Sequence, residues 1–314
     1  MPRTYEIRDR TVLITGAARG IGAKTAERLH AGGANVALVG IEPERLEALA
    51  ERLGERAFWR EADVTDAAAM RDAVAAASER FGGIDVAIAN AGVHWTGPLA
   101  TTPLETLERE LEINLFGVLR TVHAVLPQII ERRGYVLNIA SLAAASHAPL
   151  MAPYAASKAG VEALTNSLRG ELSATGARAG CAYFGIIDTD MVRDAFANRT
   201  VQAMLPAIPA FARRSVPVDV AVDAIEDGVR HRRARVWAPR YVGPSLLARG
   251  IVQPLTELRI GRSRSLRAAI AAAEPGNPLV REAGDAAAEE AQDGADGPQS
   301  STKRSSASSP SAAL

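Results

Sequence analysis

The chain alternates short, nearly continuous apolar runs with longer stretches whose apolar residues recur at helical spacing. Thr11–Thr15 is rich in β-formers and ends in glycine, and 21–31 then takes up helical periodicity. Residues 35–39 form a second apolar run, and Pro43–Leu53 reads as a helix with proline in its first turn. The alternation continues with a strand at 57–60, a helix at 66–80 opened by Asp66, a strand at 84–89 and one long helix over 104–132. It closes with a strand at 135–140, a helix at 154–173, a strand at Arg178–Phe184, a helix at 218–230 and a strand at Arg235–Ala238. Strands that alternate with helices predict βαβ units and a parallel sheet. Strands covered on both faces should be apolar along their length, and most of these runs are nearly continuous. The expected fold is therefore α/β: a single doubly wound domain over residues 1–240, around a central parallel sheet of about seven strands.

Three segments depart from this pattern. Residues 190–217 carry Pro206, Pro209 and Pro217 and are long for a connection, which points to a lid or binding loop. Residues 241–280 read as a basic amphipathic C-terminal extension, and 281–314 are so poor in large apolar residues that a disordered tail is expected. Between Arg230 and Arg267 there are ten arginines and one acid, Glu257. A solvated basic face is one reading. The other is a peripheral membrane or partner contact through 241–270, where Leu246, Leu247, Ile251, Val252, Leu255, Leu258 and Ile260 accompany the arginines.

Composition narrows the function. Lys+Arg and Asp+Glu are both 36 among 314 residues, so a globally basic nucleic-acid binder is not expected, and 4% aromatics argue against base-stacking surfaces. One cysteine, Cys181, allows no intrachain disulfide and no Cys-rich metal site. No histidine pairs with Cys or carboxylates at metal-ligand spacing, so no catalytic metal is expected. The N-terminus lacks an apolar signal core and no run of about 18 apolar residues appears, so a cytoplasmic location is expected.

Thr15-Gly16-Ala17-Ala18-Arg19-Gly20-Ile21-Gly22 follows the first strand and opens the first helix. Gly16 permits a tight turn, Gly20 lets backbone approach a pyrophosphate, and Gly22 allows close helix–strand packing. The helix N-terminus offers free N–H groups to the anion. Further along, Asp63-Val64 follows the third strand, Asn90-Ala91-Gly92 ends the fourth, Asn114 lies in the long helix, Ser141 ends the fifth strand, and Tyr154-Ala155-Ala156-Ser157-Lys158 begins the next helix.

Together these motifs resemble the short-chain dehydrogenase/reductase family over about three quarters of the chain, roughly residues 8–240. The resemblance implies a Rossmann domain, a bound NAD or NADP, a small-molecule substrate and a homodimer or homotetramer built on the helices at 104–132 and 154–174. It implies catalysis by Asn114, Ser141, Tyr154 and Lys158. It implies cofactor contacts from Gly16, Arg19, Gly20, Ile21, Gly22, Glu42, Asp63, Val64, Asn90, Ala91, Gly92, Tyr154, Lys158, Ile187 and Thr189. One departure stands out: Phe184-Gly185 occupies the place where the family has Pro-Gly, which bears on the loop leading to Ile187 and Thr189.

The residues themselves suit this chemistry. Tyr154 and Lys158, four apart on a helix, share one face. A nearby ammonium favours the phenolate and should lower the tyrosine pKa towards neutrality, making Tyr154 an acid/base for an alcohol or carbonyl oxygen. Ser141 can hydrogen-bond the same oxygen. By resemblance, Lys158 also holds the nicotinamide ribose, and Asn114 positions a water. At the end of the second strand, Glu42 can read ribose hydroxyls and repel a 2′-phosphate, whereas Arg19 argues for NADP; the balance favours NAD. The expected substrate wall, His94, Trp95, Ala143, His147, Met151, Phe184 and Met191, is mostly apolar and suits a hydrophobic secondary alcohol or ketone. Two alternatives remain: a membrane- or partner-docked nucleotide-binding module, and a dehydratase or epimerase on the same fold.

Overall fold

The computed structural model describes residues 4–197, 201, 202, 205, 210, 213–264 and 267. The strands are β1 (Thr11–Thr15), β2 (Asn35–Gly40), β3 (Ala57–Glu61), β4 (Val86–Ala89), β5 (Tyr135–Ile139), β6 (Arg178–Phe184) and β7 (Arg235–Ala238). All pair in parallel, in the order β3-β2-β1-β4-β5-β6-β7. The order reverses direction between β1 and β4, and the crevice beyond their C-terminal ends is where such sheets bind ligands.

The helices are α1 (Gly20–Ala31), α2 (Pro43–Leu53), α3 (Ala67–Phe81), α4 (Leu104–Leu111), α5 (Gly117–Glu131), α6 (Ala152–Glu171), α7 (Asp190–Ala197), α8 (Val218–His231), α9 (Val242–Leu247) and α10 (Arg249–Arg262). Alternate strand residues feed two cores, one on each face of the sheet. Leu13, Ala37, Val39 and Val136 pack with the side that holds α3, α5 and α6. Val12, Ile14, Val36 and Leu38 pack with the side of α1, α2 and α8. This two-sided cover is why the inner strands are apolar throughout. The edge strands differ: β3 is half-exposed and β7 alternates exposed and buried residues.

The single helix expected over 104–132 is interrupted. Glu112–Phe116 forms a π turn between α4 and α5, and Asn114 lies within it. The extra residue in that turn rotates the preceding helix face by about 100° relative to the following one, and such bulges recur at functional sites. The stretch Leu104–Glu131 is long and apolar enough to cross a membrane, yet Val118, Val122, Val125 and Ile129 lie in the core.

The extension joins the body at once. Val242 and Leu246 belong to the core, and Arg249 makes two hydrogen bonds (3.0 and 2.6 Å) to the buried carboxylate of Glu162 on α6. Most of the lid segment from 198 onward, the rest of the extension beyond 267 and the tail 281–314 lie outside the described residues.

Candidate active site

The crevice floor is knitted by Thr15 and Asn90. Thr15 Oγ1 accepts the N–H groups of Asn90 (3.0 Å) and Ala91 (3.2 Å), and Asn90 Nδ2 donates to the carbonyls of Thr15 (3.0 Å) and Gly16 (3.1 Å). Asn90 and Ala91 thus fix the turn on which a ligand would rest. Gly16 has φ +63°, and an added Cβ there would lie 2.8 Å from Ala91 Cα; at Gly22 it would lie 2.1 Å from the Gly16 carbonyl oxygen. Only glycine fits this cradle. Helix α1 starts without a side-chain cap, so the first N–H groups around Gly20, Ile21 and Gly22 stay available to an anion. Thr189 overhangs Gly20 from the loop after β6. The cradle therefore fits a pyrophosphate-bearing dinucleotide.

Beyond the end of β2, the two residues that argued for different cofactors hold each other. Arg19 Nε lies 3.0 Å from Glu42 Oε1, and Arg45 takes the other oxygen at 3.1 Å. Asp63 accepts the Thr65 N–H (2.8 Å) and pairs with Arg109 (3.0 Å). Burial raises its pKa, but those partners more than offset that, leaving the carboxyl below its usual range. Val64 is buried against Gly117.

On the far side of the crevice, Ser141 leaves β5 and Tyr154 and Lys158 sit in the first turns of α6. The Ser141 hydroxyl donates to the Phe184 carbonyl (3.3 Å), accepts the Ala143 N–H (3.1 Å) and hydrogen-bonds to Tyr154. Lys158 Nζ lies 5.6 Å from the centre of the Tyr154 ring and donates to the Ile139 carbonyl at 3.1 Å. Burial pulls the Lys158 pKa down to about 8. Burial also holds the Tyr154 phenol above its ordinary value; the Ser141 hydrogen bond lowers it in part, and the Glu110 carboxylate raises it further. The expected lowering of the tyrosine pKa by the ammonium is therefore not what this site shows. Desolvation is the largest influence there, with Tyr154 half-buried against the buried Lys158.

Asn114 is fully buried, and its amide pairs in both directions with the backbone of Val93: the N–H of Val93 to Oδ1 at 2.9 Å, Nδ2 to the Val93 carbonyl at 2.8 Å. Asn114 Oδ1 and Lys158 Nζ converge over Gly92, 2.9 and 3.5 Å from where a Cβ would be. In this structure Asn114 clamps the strand exit.

The Phe184 departure has a plain outcome. Phe184 is not part of a substrate wall but lies buried in the core with Ile187, Ala221 and Ile225. Gly185 still turns, donating its N–H to Ala238 (2.8 Å), and Ile187 bridges Val216. Thr189 is thereby held at the crevice. His147 also leaves the expected wall: it is exposed, and its N–H donates to Gln253 of α10 (2.9 Å).

A buried residue beside this site escaped the sequence reading. Glu110, four residues before Asn114, is 1% exposed and accepts from His94 Nδ1 and from the Trp95 N–H, both at 3.2 Å. The His94 ring lies 4.5 Å from the Tyr154 ring, centre to centre, and its Nε2 meets Thr96 Oγ1 at 3.1 Å.

The profile of the short chain dehydrogenase family matches residues 10–200. The chain belongs to the short-chain dehydrogenase family. Among its relatives, a serine 3-dehydrogenase of Rhizobium radiobacter is 36% identical over 183 residues, 57% of this chain and 73% of that protein. Nodulation protein G of a Rhizobium species is 32% identical over 222 residues, 69% of this chain and 88% of that protein. The crystal structure of a short chain dehydrogenase/reductase from Burkholderia phymatum, in complex with NAD, matches with a TM-score of 0.69 at 23% identity, covering 81% of this chain and 96% of that one. This short-chain dehydrogenase is thus an oxidoreductase on a doubly wound parallel sheet.

Proposed function

We propose that the protein uses NAD to interconvert a hydrophobic secondary alcohol and its ketone, with Tyr154 as the acid/base. The observation that carries this is the enclosure of Tyr154 between Ser141 and Lys158, beside a glycine cradle with an uncapped helix N-terminus. The dinucleotide would supply hydride chemistry; Gly16, Gly20, Ile21, Gly22 and Thr189 would hold it, and Lys158 would face its ribose. Tyr154 would move the proton at the substrate oxygen, and Ser141 would orient that oxygen. The structure of the Burkholderia phymatum relative with NAD supports the cofactor reading. The Arg19–Glu42 pair supports NAD over NADP, because a 2′-phosphate would have to break it. Trp95, Ala143, Met151 and Met191 would form the apolar side of the substrate pocket.

Direct titration with NADH and, separately, NADPH tests the reading. Tighter NADH binding is expected. Preference for NADPH would reassign Arg19 as a phosphate contact, and binding of neither would sink the oxidoreductase mechanism. We further propose a cytoplasmic homo-oligomer. Phe116 and Leu119, on the outer side of the long helix, are each 44% exposed, which suits an interface. Sedimentation of the full chain checks it, and a monomer at all concentrations would refute it.

A second reading concerns the extension. Leu247, Ile251, Leu255 and Leu258 are 83%, 67%, 56% and 55% exposed at helical spacing. That stripe supports peripheral membrane contact. Co-sedimentation with anionic vesicles should drop in Ile251→Asp/Leu255→Asp; equal binding by the variant would remove this reading.

A further inference from the structure

The arginines that are dense in the sequence at 230–267 do not stay together in the fold. A different set converges at the N-terminal edge of the sheet. Arg10 leads into β1, Arg132 and Arg133 turn into β5, Arg169 lies on α6, Arg178 starts β6, and Arg232 precedes β7. These six side chains line one cavity of ≈ 940 Å³, together with Tyr5 and small residues, and among the described residues no acidic side chain lines it. The length of a five-residue strand, about 17 Å, separates this edge from Ser141 and the crevice.

The charge in this cavity is largely uncompensated. Asp85, buried behind it, takes Arg10 (2.7 Å) and Arg132 (3.1 Å). Arg169 donates to the carbonyls of Ala179 (3.2 Å) and Ala234 (2.9 Å). Arg232 donates to those of Arg133 (2.9 Å) and Gly176 (3.1 Å). A neutral carbonyl orients a guanidinium without cancelling its charge. Among the described residues no carboxylate lies within 4.0 Å of Arg133, Arg169, Arg178 or Arg232. Burial and the charge of Arg178 lower the Arg232 pKa, which marks the crowding of like charges.

Two further observations point to a ligand. The Tyr5 ring carries the guanidiniums of Arg10 and Arg232 at 4.9 and 5.0 Å from its centre, yet its hydroxyl is buried without a hydrogen-bond partner among the described residues. Arg133 and Arg232 both adopt left-handed backbone, φ 49° and 45°, a conformation costly for arginine. The Arg232 guanidinium bridges these turns and fixes the cluster in shape.

We propose that this cavity binds a compact anion carrying two or more phosphate groups. Guanidinium forks match phosphate oxygens in pairs. Six guanidiniums against a single carboxylate call for more than one negative charge. The site is separate from the dinucleotide crevice and does not depend on the oxidoreductase mechanism.

The probe is inorganic pyrophosphate, titrated calorimetrically into the full chain with the dinucleotide crevice saturated, at fixed ionic strength. One-site binding is expected, weakened about tenfold or more in Arg133→Gln/Arg178→Gln with NADH affinity unchanged. Arg178→Gln alone, at an exposed strand start, should fold normally and show part of the loss. Cardiolipin vesicles, whose headgroup carries two phosphates, identify the source: displacement of pyrophosphate by vesicles, lost in the double variant, assigns a lipid headgroup, and no displacement assigns a soluble phosphate. Absence of pyrophosphate binding, or binding equal in the double variant, would overturn the proposal.

Discussion

At the C-terminal edge of the sheet, the groups proposed to meet an anion are backbone: α1 begins uncapped, glycines clear the space, and Arg19, the guanidinium of the glycine loop, is already paired with Glu42. At the N-terminal edge, side chains take that part: six guanidiniums share one cavity, and Asp85 answers only two of them. The difference teaches how each edge responds to change. Backbone N–H groups keep their partial charge at any pH and in any variant that preserves the turn. A side-chain cluster depends on each member and on salt. The upper edge therefore resists substitution everywhere except at its glycines and its proton carriers, whereas the lower edge is adjustable residue by residue.

The largest effect should come from the upper edge. Tyr154→Phe is expected to lower turnover by roughly 10²–10⁴-fold while leaving NADH affinity near that of the wild type, because only the acid/base is removed. Steady-state kinetics with dinucleotide titration check this, and near-normal turnover would break the assignment.

The lower edge should answer with stability. Asp85→Asn leaves Arg10 and Arg132 beside four other guanidiniums without a counterion, and, because both arginines are partly solvated, should cost about 1.5–3 kcal/mol in urea unfolding at pH 7. Burial raises the Asp85 pKa, but Arg132, the Thr11 N–H and Arg10 bring it below the ordinary value. Its contribution is therefore present above the unfolded carboxylate pKa and lost as pH falls towards the folded one. Variant and wild type should converge in acid.

Lys158→Met carries the opposite sign. The buried amine titrates at about 8 against 10.5 when unfolded, so the unfolded chain binds more protons between those values. Removing the amine should abolish turnover yet stabilise the fold by up to about 3 kcal/mol at pH 7. The gain should shrink as pH rises from 8 towards 10.5. A Lys158→Met protein that melts below wild type at pH 7 would refute the burial argument.

Smaller effects sharpen the upper edge. Glu110→Gln removes a carboxylate that raises the Tyr154 pKa, so the pH of half-maximal alcohol oxidation should move down. Glu42→Gln frees Arg19 and should shift the NADPH-to-NADH affinity ratio towards NADPH by roughly threefold to tenfold. An unchanged ratio would show that the pair does not read the ribose.

The same contrast explains what was legible in the sequence. Gly16, Gly20 and Gly22, and the pair Tyr154 and Lys158, each lie within one turn or loop, so local spacing already encodes their geometry. The strands were readable because cover on both faces demands continuous apolar runs. Glu110 was not, since it sits among Glu105, Glu108 and Glu112 and looks like one more solvated acid; the π turn at Glu112–Phe116 sets the relation between its face and the helix that follows. The Arg19–Glu42 pair joins residues 23 apart, and the arginine cluster draws on segments from Arg10 to Arg232. Phe184 misled because an apolar residue beside the site suggests a pocket wall, whereas the helices covering β6 leave it in the core.

The bond between Arg249 and Glu162 bears on how the protein comes off the ribosome. Glu162 stands one turn beyond Lys158 on the helix that also bears Tyr154, and its counterion is synthesised 87 residues later. A nascent chain that has completed all seven strands still lacks that partner. Catalytic competence should thus arrive late in translation, and a product cut short near residue 240 would keep the motifs of an enzyme while its central helix held a stranded carboxylate.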